Sequence, residues 1–200
     1  MNPYTFLVET YATERLKTLS VWSHFTEADL GYRPEPRART PLEQMVHQCV
    51  SENTWMQRML GIDVGLPLLP ERETRTGFLE HYADASGRWL ERLTGQPAQW
   101  YEGETRFFDV SRSRAWVVTR RIAHSAHHRG QLTAYLRQLG RDLYSTYGPT
   151  ADTGGLFQHE APVIYRYRSL EELLAAARGD TVVSPDLPGP GPSAPTERPG

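Results

Sequence analysis

Histidine is the residue type in this sequence whose spacing could support chemistry. Seven occur, at positions 24, 47, 81, 124, 127, 128 and 159. His124 and His128 lie four apart in a segment, Ser113 to Leu139, that reads as a long helix closed by Gly140. At about 100° per residue the two imidazoles differ by only about 40°, so they stand one above the other and could grip a single metal ion. Val117, Leu132, Tyr135 and Leu139 share that side, which turns the pair inward, whereas His127 points toward Arg120 and solvent. His47 is the third candidate. It falls roughly 140° round from the apolar stripe of its own helix, at a flank suited to lining a cleft. Each feature also has an ordinary reading, since such a pair can decorate a surface and a flank histidine can do nothing.

The elements that must position these groups are helical. Asn2-Pro3 opens a helix from about 3 to 24, with Asn2 as its cap. Thr40-Pro41-Leu42-Glu43 is a capping box that starts a second helix, 41 to about 60, carrying Leu42, Met45, Val46, Cys49, Asn53, Met56 and Leu60 as its stripe. A third begins near Thr74 or Thr76 and stops at Gly95 and Pro97, and Phe107 to Val110 reads as a short extended piece. With the Ser113–Leu139 helix this predicts an all-α fold, a four-helix bundle over residues 1–155. A turn-rich C-terminal extension follows over 156–179, with a short helix from Leu170 to Arg178 and an alternating Tyr165–Arg168 stretch that could lie extended over the bundle. Residues 180–200 hold six prolines and three glycines, a composition that predicts a disordered tail.

Composition narrows the function further. The chain has 200 residues, 38% hydrophobic and 23% charged, with a formal net charge of −2. That balance argues against a nucleic-acid partner, which calls for a basic surplus. No apolar run is long enough to span a membrane, and Met1-Asn2-Pro3-Tyr4 lacks the features of a signal peptide, so the cytoplasm is the default location. The single cysteine, Cys49, lies on the core stripe of the second helix and reads as an inert apolar residue. A di-iron bundle would need Glu-x-x-His pairs, and none occurs. Ser51 and Ser125 lack the glycine pattern of a nucleophile elbow. His24 and His81 have no spaced partner and are expected at the surface or rim. Glu43, one turn before His47, is a candidate to orient it, although its capping role explains it equally well. Gln131 flanks the histidine face, and Arg129 turns away from it toward a structural ion pair. No acid or base can be named as catalytic.

The stretch His124-Ser-Ala-His-His-Arg-Gly-Gln-Leu132, continuing to Tyr135-Leu-Arg-Gln-Leu-Gly140, resembles the last-helix signature of the DinB-like (DinB/YfiT) superfamily. Leu30-Gly-Tyr-Arg-Pro34, the helix with His47, Glu52-Asn-Thr-Trp55 and Tyr147-Gly-Pro-Thr-Ala-Asp152 extend the likeness over about residues 3–155. The resemblance implies a four-helix bundle that binds zinc or nickel through His47, His124 and His128. Three ligands leave a position open, the pattern of catalytic sites. Relatives of this kind include transferases and isomerases that use low-molecular-weight thiols such as bacillithiol, mycothiol or glutathione, which implies a thiol as co-substrate beside a small-molecule substrate. A metal-dependent hydrolase and a stress-linked metal-binding scaffold without turnover remain as alternatives. The resemblance also implies a homodimer. Trp55 and Trp116, which lie off the main stripes of their helices, would be covered by a partner or by the chain's own 142–178 segment.

Overall fold

A computed structural model of the chain describes residues 2–192. It is mostly helical. Helix α1 (Thr5–Ser23) starts later than the sequence predicts, because Asn2 caps a preceding turn instead: its Oδ1 accepts from the Tyr4 amide at 3.0 Å and its Nδ2 donates to the Gln96 carbonyl. Helix α2 (Pro41–Thr54) forms as its capping box requires, with Thr40 Oγ1 accepting from the Glu43 amide and Glu43 Oε2 from the Thr40 amide. The helix then widens into a π-turn over Trp55–Met59, where the Leu60 amide reaches back to the Trp55 carbonyl. Such widened turns are frequent beside functional sites. Helix α3 (Arg75–Thr94) is capped by Thr74, and helix α5 (Arg114–Gln138) by Ser113. Beyond α5, Gly140 takes the left-handed conformation (φ 66°) expected at that position.

Helices α1 and α3 pack together, α5 packs on both α1 and α2, and α2 also touches α3. Leu19, Trp22, Met45, Met56, Phe78, Leu79, Trp89, Val117, Leu132 and Leu136 fill the space between them and are fully or nearly fully buried. Trp22 meets Phe78 edge-on and Tyr82 at a tilt, the offset geometry aromatic rings prefer. Among the described residues no helix is long and apolar enough to cross a membrane.

Between α3 and α5, where the sequence reading expected only a short extended piece at Phe107–Val110, the structure builds two small elements. A short helix, α4 (Ala98–Glu102), leads into a hairpin of β1 (Glu104–Phe107) and β2 (Val110–Ser113), paired from Glu104↔Ser113 to Phe107↔Val110. An all-α description is therefore incomplete. The expected extended piece spans the turn of this hairpin, and the two paired strands were not foreseen because that turn, Phe108-Asp109, contains no glycine. Phe108 itself adopts φ 52°, a conformation that Gly, Asn or Asp normally supply.

The C-terminal extension wraps the bundle. The Ser145 amide donates to the Ile164 carbonyl, and Arg166 donates to the Ser23 carbonyl at the end of α1. Helix α6 (Leu170–Arg178) matches its predicted span and packs on α3 and α1 through buried Leu173 and Ala177. Residues 180–192 form neither helix nor strand, yet they are tied down rather than free. Pro185 accepts from the Tyr144 hydroxyl, and the Gly189 amide donates to the Asp152 carbonyl. The rest of the expected disordered tail, 193–200, lies outside the described residues.

His24 corrects the expectation of a surface position. It is buried at the end of α1, with Nδ1 2.6 Å from the Ser20 carbonyl, Nε2 facing the Tyr144 amide, and its ring against Tyr144. Both nitrogens are used by the neutral ring, and burial, aided by the charge of Arg166, pulls its pKa from 6.5 to about 4. A depressed histidine pKa means that the unfolded chain takes up the proton first. The stabilisation is therefore complete above pH 6.5 and is lost as pH falls from 6.5 toward about 4. That shift corresponds to about 3 kcal/mol. Urea unfolding across this interval should show the loss in the wild type and a shallower slope in His24→Gln.

Candidate metal centre

The site is built where α2 crosses α5. His47 projects from α2, and His124 and His128 from adjacent turns of α5. One ring nitrogen from each lies within 4.8 Å of the others. The ring centroids are 5.3 Å apart for His47–His124, 4.7 Å for His47–His128 and 4.5 Å for His124–His128. His127 is exposed and stands outside the cluster, as the helical geometry requires. His24 and His81 take no part in it.

The electrostatics favour bare nitrogens. Burial, then the charge of Arg121, then the neighbouring His128 and His47 rings pull the His124 pKa down to about 3. Burial likewise lowers His128, to about 4, against the opposing hydrogen bond to Gln131. His47 is lowered by burial and by Arg39 and Arg121. At neutral pH all three rings therefore carry lone pairs, the form a metal ion needs. The donor set passes two further tests. His124 Nε2 and His128 Nε2 are 3.2 Å apart, and two imidazole nitrogens bound to one tetrahedral zinc at about 2.0–2.1 Å stand about 3.3 Å apart. In addition, His47 closes the set from another helix, with one nitrogen of each ring within 4.8 Å of the others. The three imidazoles could hold one borderline divalent ion.

Residues 1–154 match the sequence pattern of the DinB family. The chain belongs to the DinB family. Its fold is similar to that of a DinB-like protein from Bacillus cereus ATCC 10987, with a TM-score of 0.61 at 19% identity over 70% of this chain and 95% of that one. A DinB-like protein from Bacillus subtilis gives a TM-score of 0.55 at 12% identity over 68% and 94%. No curated protein sequence matches the chain significantly.

Around the triad of this DinB chain, other expectations meet their structural outcome. Glu43 does not touch His47; it is exposed and engaged by Arg33 at 2.7 Å as well as by Thr40. Gln131 does reach the triad, with Oε1 2.9 Å from His128 Nδ1. Arg129 faces away into a buried ion pair with Glu14, supported by Thr18 and Tyr147. Cys49 is buried, and burial pushes its thiol far above the usual range, which leaves it inert. Within the chain, Trp55 is covered by a different segment from the expected 142–178 stretch. The hairpin covers it, with Phe107 5.1 Å and Phe108 6.4 Å away between centroids. The Trp55 ring in turn lies 5.5 Å from His124 and forms an aromatic wall beside the triad. Trp116, at 38% exposure, packs on Phe107.

Sequence reasoning overlooked the polar cluster under this wall. Glu52 is fully buried, accepting from Tyr11 Oη at 2.7 Å and Tyr82 Oη at 3.0 Å, with Arg121 Nε at 3.6 Å. Burial first and Glu52 second raise both tyrosines, so they stay protonated donors. Arg121 also donates to Ser51 at 2.9 Å and Ser125 at 3.0 Å, and its guanidinium lies over Trp55. The available signal was positional: Glu52 sits three residues after Cys49 and four before Met56, on the core stripe itself. Glu52→Leu would leave Arg121 buried and unpaired, and denaturant unfolding should register a loss of about 3–5 kcal/mol. The double variant with Arg121→Met should recover much of it.

Proposed function

We propose that His47, His124 and His128 hold a divalent ion, zinc or nickel, and that the protein is a metal-dependent enzyme of the thiol S-transferase type acting in the cytoplasm on a small-molecule substrate. The observation that carries the metal reading is the 3.2 Å approach of two neutral imidazole nitrogens, with a third ring from another helix closing the set. Three protein ligands leave room for a fourth, exogenous one. A bound ion would supply a Lewis acid that lowers the pKa of a low-molecular-weight thiol from about 8.5, so that thiolate is available at neutral pH. The chain's own residues prepare that position. Burial keeps the imidazoles unprotonated, Trp55 and Phe107 exclude water from one side, and buried Arg121 braces Trp55 from beneath.

Metal analysis of untagged protein tests the ligand set. His47→Ala, His124→Ala and His128→Ala should each lose the ion, and His127→Ala should retain it. Loss in His127→Ala with retention in His128→Ala would overturn the assignment. A thiol-consumption screen with electrophiles, with and without chelator, tests the enzyme class. Chelator-sensitive thiol consumption supports the transferase. Chelator-sensitive ester or amide hydrolysis would indicate the hydrolase, and stoichiometric metal without turnover would indicate the scaffold.

We also propose a homodimer, supported by the exposed apolar edge formed by Phe108 (66% exposed), Val110 and Trp116 on and beside the hairpin. Light scattering at micromolar concentration should give twice the chain mass of 22.8 kDa, and a concentration-independent mass of one chain would reject it.

A further inference from the structure

We propose that Gln131, itself oriented by Gln44, is a positioning residue that keeps the proton of neutral His128 on Nδ1 and so leaves its Nε2 as a bare lone pair facing the triad. Its purpose rests on the metal-site reading above, whereas its basis is a set of hydrogen bonds independent of any ion.

Gln131 Oε1 lies 2.9 Å from His128 Nδ1 and 2.9 Å from Gln44 Nε2, and Gln131 Nε2 lies 3.2 Å from His127 Nε2. An amide oxygen only accepts and an amide NH2 only donates. Because Gln44 donates to Gln131, the end of the Gln131 side chain shared with His128 is the oxygen. That oxygen cannot donate to His128, so Nδ1 of the neutral ring must carry the proton. A neutral imidazole has one N–H, and Nε2 is therefore free. If the Gln131 amide alone were turned over, with Gln44 as placed, its NH2 would face the NH2 of Gln44 and would donate to Nδ1. The proton would then sit on Nε2, where it blocks coordination.

Gln44 engages the relay through Nε2, and its Oε1 is buried without a partner. Gln44 is 2% exposed on α2, three residues before His47. The helix that supplies one ring nitrogen of the cluster thus also sets the tautomer of another across the α2–α5 seam. His127, which points away from the triad, acquires a role as acceptor for the other end of the Gln131 amide. His124 has no equivalent, since its Nδ1 is buried without a partner. The control is specific to His128.

Long-range proton–nitrogen correlation spectra of the full-length, metal-stripped protein above the imidazole range, at about pH 7.5, read the tautomer directly. The wild type should show His128 protonated at Nδ1, and Gln131→Glu, which keeps an acceptor there, should do the same. Gln131→Met should shift His128 toward the Nε2-protonated form. Gln44→Leu should weaken the preference, and it provides the same test from the other helix should Gln131→Met fold poorly. In parallel, zinc affinity by chelator competition should fall about 10–100-fold in Gln131→Met and be retained in Gln131→Glu. An Nε2-protonated His128 in the wild type, or an unchanged tautomer in both Gln131→Met and Gln44→Leu, would overturn the proposal. An Nδ1-protonated His128 that shifts in the variants, in a wild type that binds no zinc, would uphold the positioning role and reject the metal reading instead.

Discussion

Arg121 is a guanidinium with 1% of its side chain exposed, and the rest of the site depends on how that charge is met. A buried cation without a counter-charge is strongly destabilising, so α5 can pack on α2 only where Glu52 and Ser51 receive it. This requirement sets the axial register of the two helices. Their contacts then follow as an antiparallel seam: Gln44 meets Gln131, His47 meets His124 and His128, and Ser51 and Glu52 meet Arg121. A slip of one turn would move α5 by about 5.4 Å and separate the histidines while stranding the charge. Tyr11 from α1 and Tyr82 from α3 complete the carboxylate's hydrogen bonding. All four long helices thereby hold the register that the triad uses.

The same burial that makes the seam costly to misalign prepares the imidazoles. Each ring of the triad has its pKa lowered, with desolvation as the largest cause and arginine charge reinforcing it. Among the described residues no carboxylate contacts the rings to raise them again, because Glu43 is taken by Arg33 and Thr40 and Glu52 by the tyrosines and Arg121. His24 shows the same physics away from the site, where both of its nitrogens serve structure. Burial alone therefore does not mark a functional histidine in this chain. Convergence of three ring nitrogens within 4.8 Å of one another does.

The segments around the bundle divide into two kinds of cover. The extension lies over α1 and α3 through α6 and is tied to the end of α1 by Arg166, while the Arg137–Asp152 pair holds the preceding loop to α5 and Arg141–Asp29 joins the end of α5 to the turn after α1. The hairpin is different, since it is short, carries aromatic residues at its turn and packs on the region around Trp55 and Trp116. It backs the Trp55 wall beside the triad. Thr105, in β1, fastens it by donating to the Met59 carbonyl at the widened end of α2.

Local signals settled much of this protein. Capping at Thr40, Thr74, Ser113 and Ser169 and the left-handed Gly140 are decided by a few consecutive residues, which is why α2, α3, α5 and α6 begin, and α5 ends, close to where the pattern puts them. The i, i+4 spacing likewise determined that His124 and His128 share a face and that His127 does not. What spacing could not supply is any distance between helices. Whether His47 stood near the pair, whether Glu43 or Gln131 touched a ring, and whether His24 met solvent were decided by tertiary packing, which brings together groups many residues apart. The hairpin was hidden for a related reason: with no glycine at its turn, it is held by contacts to Trp55 and Met59 rather than by its own propensity. Glu52 shows the limit most plainly. A carboxylate on an apolar stripe looks like an error in the sequence, and only the fold supplies the buried arginine and two tyrosines that make it necessary.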